Sequence, residues 1–326
     1  MKRLLLSRAG RRVLERPEVF RALSWMARNA LGRRVVAALE TNALAAMLAR
    51  TSDASPAGGA LGFLFHRYEA GRTPREIYDD VFSPDRFERG YQSQMGQDLF
   101  LNRWLFKNGG PGFFVDVGAF DGELGSNTAF FEKRLGWKGI AFEPNPPEYA
   151  ALRRTRSCQA IQGCAYNRDG EVKFLALAEK DQRRRTEDIL RPPNLSSLAL
   201  DPHHGAVMLS GIREHIDNMP RVDQARELWN LDQKEVTVPC HRIDRVLEDA
   251  GIKTVDYLSV DVEGAELQVL QGIDFARFRV NVIGVERSAS FSDVYRLLTD
   301  AGFEYHGLLF FDEIFVHPDP RFTWQS

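Results

Sequence analysis

The stretch FFVDVGAFDGELGSNTAFF, residues 113 to 131, decides the fold class. Its first five residues, Phe113 to Val117, have the β-branched and aromatic character of a buried strand. Gly118 and the pair Asp121-Gly122 are typical of a turn, and from Ser126 onward apolar residues recur at helical spacing. A strand, a glycine turn and a helix in this order open a nucleotide-binding α/β fold, whose ligand lies beyond the carboxyl end of the strand.

Composition is typical of a globular protein. The chain has 326 residues, of which 44% are hydrophobic and 27% charged, enough for one large core and an appendage. Its three cysteines, Cys158, Cys164 and Cys240, contain no CxxC pair. We therefore expect neither a disulfide framework nor a zinc site, and a reducing, cytoplasmic compartment. No apolar stretch approaches the roughly 20 residues that a membrane-spanning helix needs.

The charge is unevenly distributed. Residues 1–50 carry a net charge of +8, so residues 51–326 carry −10, and the main body is not predicted to bind nucleic acid. Apolar residues at helical spacing predict two amphipathic helices in 1–50. They are Phe20, Leu23, Ala27 and Leu31, then Val36, Leu39, Ala43 and Met47.

Three interpretations of residues 1–50 remain open. The helices form a hairpin that packs on the main domain or on a second subunit, they bind a membrane surface as a peripheral attachment, or they are a cleaved targeting peptide. Residues 51–90, which begin with TSDASPAGGA, are predicted to be a linker and connector.

From residue 91 to 326, predicted strands and helices alternate, which favours a doubly wound parallel sheet. The predicted strands are GIAFE (139–143), CQAIQGCAY (158–166), DYLSVD (256–261) and VNVIGVE (280–286), and VKFLAL (172–177) is predicted to be an edge strand or a hairpin. The predicted helices are EYAALRRT (148–155), HRIDRVLEDAG (241–251), GAELQVLQGI (264–273) and SDVYRLLTDAG (292–302). FEYHGLLF (303–310) and DEIFVH (312–317) are expected to close the sheet as an antiparallel pair.

The first turn is acidic. The dinucleotide fingerprint G-x-G-x-x-G is absent, and Asp116, Asp121 and Glu123 have no lysine or arginine beside them in the stretch. Such a turn repels phosphate and favours a cationic ligand. S-adenosylmethionine fits this requirement, because it carries a sulfonium and an ammonium group and no phosphate. Glu143 stands 25 residues after Gly118, where nucleotide folds place the carboxylate that binds the ribose hydroxyls.

Three ordered blocks resemble the FkbM family of S-adenosylmethionine-dependent methyltransferases: SQMGQDLFL (93–101), residues 113–146, and VDYLSVDVEGAELQVLQGID (255–274). The resemblance implies a class I methyltransferase (Rossmann-like) fold, with a seven-stranded sheet and an antiparallel last strand. It also implies O-methylation of a hydroxyl on a sugar, a glycan or a secondary metabolite. The residues that match the family's cofactor motifs are Gln94, Gln97, Asp98, Asp116, Gly118, Asp121 and Glu143.

Asp261 is the first candidate for catalysis. It ends a strand next to the cofactor strand, so its carboxylate is expected in the crevice where the methyl acceptor lies. A hydroxyl acceptor needs a base or a Lewis-acid metal, and Asp261 can serve as either the base or a ligand of a divalent cation. Glu286, at the end of VIGVE, is the second candidate acid, and His241 is a rival base.

The stretch from Glu179 to Lys234 is a charged insertion before the next main strand. We interpret it as a cap over the acceptor pocket, whose arginines suit an anionic or polyhydroxylated acceptor. Two other function classes stay open: a nicotinamide-dependent oxidoreductase, which the missing fingerprint disfavours, and a non-catalytic scaffold.

Overall fold

The structure is a computed structural model that describes residues 85–93, 96–107, 109–179, 211–212, 231–288, 290–309 and 312–322. The predicted helices in 1–50, the linker up to residue 84, Gln94 and most of the insertion at 179–234 lie outside these residues. Of the helices that the structure describes, none combines the length and the apolar character needed to span a bilayer.

A seven-stranded sheet forms the centre of the fold. Its strands are β1 (Phe113–Val117), β2 (Lys138–Phe142), β3 (Gln159–Ile161), β8 (Thr254–Val260), β9 (Arg279–Glu286), β10 (Glu304–Leu309) and β11 (Asp312–Val316). They lie in the order β10-β11-β9-β8-β1-β2-β3. The pairs from β9 to β3 are parallel, and β11 runs antiparallel to β9. The expected doubly wound sheet with a reversed last strand is confirmed.

A second sheet contains β4 (Cys164–Ala165), β5 (Gly170–Glu179), β6 (Gly211–Ile212) and β7 (Leu231–His241). Its four strands lie in the order β4-β7-β5-β6. The antiparallel ladder of β5 and β7 runs from Gly170↔Cys240 to Glu179↔Leu231, and β4 pairs with the end of β7 in parallel. The chain between the third and fourth parallel strands of the main sheet therefore builds a separate layer.

Two predicted elements were wrong. The predicted third strand, 158–166, is in fact two short strands in different sheets. The chain leaves the main sheet at Gly163. A Cβ added to this residue would lie 2.7 Å from the Pro239 carbonyl oxygen. His241 was placed at the start of a helix, but it ends β7, and its backbone oxygen accepts from the Tyr166 amide. Strand β7 also begins at Leu231, inside the predicted insertion.

The helices complete the main layer: α1 (Asp85–Glu88), α2 (Gln97–Phe100), α3 (Ala129–Leu135), α4 (Pro146–Thr155), α5 (Ile243–Asp249), α6 (Glu266–Gln271) and α7 (Phe291–Asp300). A π-helical turn, Leu101–Leu105, continues α2. Val115 and Val117 of β1 pack into a large apolar cluster with residues of α5, α6 and α7. Phe114 and Asp116 point to the other face, since successive side chains of a strand alternate.

A buried arginine fixes the turn after β1. The side chain of Arg156, which follows α4, is 0% exposed, and its Nε donates to Glu132 Oε2 of α3 at 2.5 Å. Its Nη1 donates to the Gly122 carbonyl oxygen at 3.0 Å and its Nη2 to Thr128 Oγ1 at 2.9 Å. Thr128 Oγ1 in turn donates to Asp116 Oδ2 at 2.5 Å. One cation thus connects β1, the turn, α3 and α4.

Replacing Arg156 by methionine is expected to destabilise the protein by about 3–5 kcal/mol, because it leaves the carboxylates of Glu132 and Asp116 buried without their cation. Urea denaturation measures the loss. Arg154→Met is the matched control, since Arg154 is exposed near the end of the same helix and its loss is expected to change the free energy of unfolding little. Equal effects of the two substitutions would contradict this role of Arg156.

Candidate active site

A pocket opens at the carboxyl ends of β1, β2 and β8, where parallel α/β sheets bind ligands. Both sheets contribute to its wall, because Phe174 and Ile212 of the second sheet line it together with the turns of the main sheet. Its lining residues are 116–120, 124–127, 142–145, 163–165, 174, 212, 259, 261–263 and 265.

Glu143, directly after β2, is 5% exposed and lines this pocket. Its Oε2 accepts from the Phe120 amide at 2.9 Å, and its Oε1 accepts from the Asn145 amide at 2.8 Å. Burial raises the pKa of Glu143 to about 8, although the two amide hydrogen bonds act in the opposite direction. Each carboxylate oxygen keeps a further lone pair for a ligand hydroxyl.

Six amides of the first turn, those of residues 118–120 and 122–124, are already used within the protein. Those of residues 118 and 119 donate to the Phe142 carbonyl oxygen, at 3.1 and 3.0 Å, and that of Phe120 donates to Glu143. The amides of residues 122–124 bond to the Ala119 carbonyl oxygen and to Asp121 Oδ1. A pyrophosphate requires free backbone donors, so this turn does not offer a dinucleotide site.

Gly118 allows the first turn to touch the end of β8. Its φ is 87°, and a Cβ added to it would lie only 1.8 Å from the Asp261 carbonyl oxygen. The Asp261 amide donates to the Val117 carbonyl oxygen at 3.0 Å. This close backbone approach is open only to glycine, and it fixes Asp261 beside the cofactor turn.

Asn127 and Ser259 add uncharged polar groups to the pocket wall. Asn127 Nδ2 donates to Ser259 Oγ at 3.3 Å. Asn127 Oδ1 is buried and has no hydrogen-bond partner within the described part of the chain. An unpaired buried acceptor is costly, so this atom fits a ligand that donates a hydrogen bond.

Three carboxylates meet at the edge of the pocket. One oxygen each from Asp261, Glu263 and Glu286 lie within 4.8 Å of one another. Asp261 is exposed towards the crevice and the two glutamates are half-buried. The protein around Asp261 desolvates its carboxylate and raises its pKa to about 6, while a hydrogen bond with Glu286 acts in the opposite direction. Desolvation and then Asp261 raise the pKa values of Glu263 and Glu286 above their usual range.

Asp116 and Asp121 have structural partners. Asp116 lines the pocket, but its carboxylate accepts from Thr128 and lies 4.0 Å from Arg156. Asp121 Oδ1 accepts from two amides of its own turn. The expectation that no cation accompanies this acidic turn was wrong, since Arg156 lies beside Asp116 and Lys133 pairs with Glu123 at 2.5 Å. Both cations come from residues beyond the quoted stretch.

The other sequence candidates lie away from the pocket lining. Asp98 is fully buried, and it accepts from the amides of Gln92, Ser93 and Leu99 and from Ser93 Oγ. Gln97 hydrogen-bonds Asp312, the first residue of β11. His241 is half-buried in the second sheet.

Among the lining residues that were not predicted from the sequence, four are used in the argument below: Asn127, Ser259, Phe174 and Ile212. Ser259 carried a signal, because it lies two residues before Asp261 and therefore on the same side of β8. Asn127 follows the glycine turn, so a polar side chain at the mouth of the crevice could have been predicted there. Phe174 and Ile212 reach the pocket through the second sheet, and their local sequence carries no sign of it.

Comparisons with known proteins support one family. A family model described as the methyltransferase FkbM domain matches residues 116–305. Methyltransferase 1 of Beauveria bassiana (strain ARSEF 2860) is 28% identical over 166 residues, which are 50% of this chain and 58% of that protein. A crystal structure of methyltransferase FkbM from Methylobacillus flagellatus KT is 13% identical, with a TM-score of 0.37, and the match covers 84% of this chain and 58% of that one.

The alignments thus cover 58% of the length of each of these two proteins. The assignment of the fold rests on the strand order of the sheet itself. Because the family model matches more than half of the residues, this chain belongs to the family of proteins with a methyltransferase FkbM domain.

Proposed function

We propose that the protein transfers a methyl group from S-adenosylmethionine to a hydroxyl oxygen of a sugar, a glycan or a secondary metabolite. When bound, S-adenosylmethionine supplies a methyl group on a positively charged sulfur. The observation that carries the proposal is the pairing of a buried pocket acid, Glu143, with a turn whose amides are already bonded. Such a pocket suits a nucleoside that has hydroxyls and positive charge and no phosphate.

The binding role falls on Glu143 and Asn127. Glu143 sits after β2, where its carboxylate oxygens can accept the two ribose hydroxyls. The unpartnered Asn127 Oδ1 can accept from an amino group of the same ligand. A nicotinamide dinucleotide fits less well, because its pyrophosphate would find the turn amides occupied.

Asp261 is suited to removing the proton from the acceptor hydroxyl. Its carboxylate opens into the same pocket as Glu143, and its pKa of about 6 is close to neutral pH, where a base is most effective. Glu286 shares a hydrogen bond with it and so orients it. Asp261 can act as the base itself or as the ligand of a divalent cation that polarises the hydroxyl.

The acidic edge of the pocket also restricts the acceptor. Asp261, Glu263 and Glu286 would repel an anionic substrate that approached the methyl group from their side. Phe174 and Ile212 offer apolar contact on the wall formed by the second sheet. We infer a neutral polyhydroxylated acceptor, whose hydroxyls donate to the carboxylates and whose ring faces pack against the apolar wall.

Replacing Glu143 by glutamine is expected to weaken binding of S-adenosylhomocysteine by about 1.5–3 kcal/mol, the range for hydrogen bonds to a charged group. Glutamine keeps the size of the side chain, and isothermal calorimetry measures the affinity. The exposed Glu171 of β5 provides the control substitution Glu171→Gln, for which we expect no change. Equal affinity in the wild type and Glu143→Gln would reject the ribose assignment.

Binding of S-adenosylhomocysteine is also expected to depend on pH through Glu143. Ribose hydroxyls favour the carboxylate form, so the ligand must displace a proton below the pKa of about 8. Affinity should therefore rise by at most about tenfold per pH unit up to about pH 8 and then level off. Calorimetry in buffers of different ionisation enthalpy should detect proton release for the wild type, and none for Glu143→Gln. A release that persists in this variant would assign the titration to another group.

Replacing Asp261 by asparagine is expected to lower turnover by roughly 10² to 10⁴, the span for loss of a general base, while S-adenosylhomocysteine affinity is kept. The assay follows the transfer of labelled methyl groups into an extract of the source organism. Glu171→Gln again serves as the control. Normal turnover by Asp261→Asn would contradict a catalytic role, and a lowered thermal midpoint at normal turnover would show a structural one.

A further inference from the structure

The acidic cluster, which we define as Asp261, Glu263 and Glu286, brings three carboxyl groups within 4.8 Å of one another. Desolvation opposes ionisation of each member, and the strongest charges acting on them are other carboxylates, including Glu266. Like charges that are crowded together and partly desolvated are unfavourable unless a counter-ion accompanies them. This arrangement calls for a cation.

Backbone ladders place two members of the cluster, Asp261 and Glu286, next to each other and next to Asp312. Val260 of β8 pairs with Val285 of β9, so the following residues, Asp261 and Glu286, continue the same row. Glu286 is paired in turn with Asp312, because β11 runs antiparallel and presents its first residue at this edge. Three adjacent strands therefore each bring an acidic residue to one edge of the sheet, and the ladders fix the backbone positions of these residues.

Two buried oxygen atoms beside the cluster lack a partner. Glu266 is 0% exposed, and its Oε1 accepts from the Gly264 amide at 2.7 Å, but its Oε2 has no hydrogen-bond partner among the residues described. Asp312 is 4% exposed, and its Oδ2 is likewise unpartnered within those ranges. Both side chains act electrostatically on members of the cluster. Unpaired buried carboxylate oxygens next to an acid triad indicate a missing positive ligand.

We propose that Asp261, Glu263 and Glu286 bind one divalent cation of the Mg²⁺ or Mn²⁺ type. All the candidate ligands are carboxylate oxygens, which such hard cations prefer. At metal–oxygen distances of about 2.1 Å, neighbouring ligands of an octahedral ion lie about 3 Å apart and opposite ones about 4.2 Å. Oxygens already within 4.8 Å of one another need only a small contraction to reach this geometry.

A divalent ion fits this charge better than an ammonium group of an acceptor. When ionised, the three cluster carboxylates carry three negative charges, which a divalent ion balances better than the single charge of an ammonium group. An ammonium also has only three protons to donate, whereas a metal ion accepts up to six oxygen ligands and leaves positions for water or an acceptor hydroxyl. Binding of an amine instead is one outcome of the test.

The role of the ion rests on the proposed function, whereas its binding does not. If the chain transfers a methyl group to a hydroxyl, the ion would sit at the acceptor side of the pocket, since Asp261 and Glu263 line it. There it would hold the acceptor oxygen and lower the pKa of its hydroxyl, and the released proton would pass to a carboxylate of the cluster or to water.

The test is a titration of the full chain with Mn²⁺, in which electron paramagnetic resonance measures the concentration of the free ion. We expect saturable binding to one site, with affinity about tenfold or more lower in Asp261→Asn and in Glu286→Gln. Glu171→Gln, on the exposed part of β5, should bind as the wild type does. Absence of saturable Mn²⁺ binding in the wild type would overturn the proposal, as would binding that both cluster variants retain.

Folding of the variants and the proposed function are measured separately. Without metal, removing a crowded carboxylate should leave the thermal midpoint unchanged or raise it, so a variant that binds no Mn²⁺ while folded supports the site. S-adenosylhomocysteine calorimetry tests the methyl-donor pocket alone. Mn²⁺ binding without binding of this ligand would reject the proposed function and keep the cation site. Binding of S-adenosylhomocysteine without binding of Mn²⁺ would reject the cation site and keep the donor pocket. Saturable binding of an amine such as ethanolamine in place of Mn²⁺ would also reject the cation site.

Discussion

The guanidinium of Arg156 is the interaction on which the geometry of the pocket depends. It is fully buried, and its donors reach a carboxylate of α3, a carbonyl of the turn after β1 and the hydroxyl that holds Asp116. Burial is the largest single effect on the pKa of Glu132 and raises it, yet the charge of Arg156 and the hydrogen bonds from Arg156 and Ser157 together lower that pKa below its usual value. The protein itself therefore fixes the shape of the turn that faces the pocket. The acids of this turn have structural partners before any ligand binds.

Acids at the pocket and at the neighbouring edge of the sheet are in the opposite situation. Folding raises the pKa values of Glu143, Asp261 and Asp312, to about 8, 6 and 7, from 4.5 for the glutamate and 3.8 for the aspartates. Their contribution to stability is therefore complete below about pH 4 and is lost as the pH rises through 6 to 8. Near neutral pH the ionisation of these groups opposes folding, and binding of a proton, a ligand hydroxyl or a cation would stabilise the folded protein. Functional sites commonly have this character.

The main sheet was predictable because its signals are local: apolar runs, glycine stops and acids at strand ends after β1, β2 and β8. The positions of Glu143 and Asp261 at the pocket were predicted from the same signals, since parallel strands bring their carboxyl ends to one edge of the sheet. The second sheet was missed, although Val236, Val238 and Cys240 alternate with exposed neighbours. Lysine, glutamate and proline on its outer face resembled a loop. Arg156 was unpredictable because its partners lie 24 to 34 residues away in sequence.

The row formed by Asp261, Glu286 and Asp312 has an evolutionary consequence. Each acid lowers the stability of the unliganded chain near neutral pH, so drift towards asparagine, glutamine or an apolar residue would be favoured wherever the activity is no longer selected. Under the proposed function, a relative that keeps the glycine turn and the sheet but has lost this row would have exchanged that function for stability. The three positions would then separate relatives that use this acidic edge from those that retain only the fold.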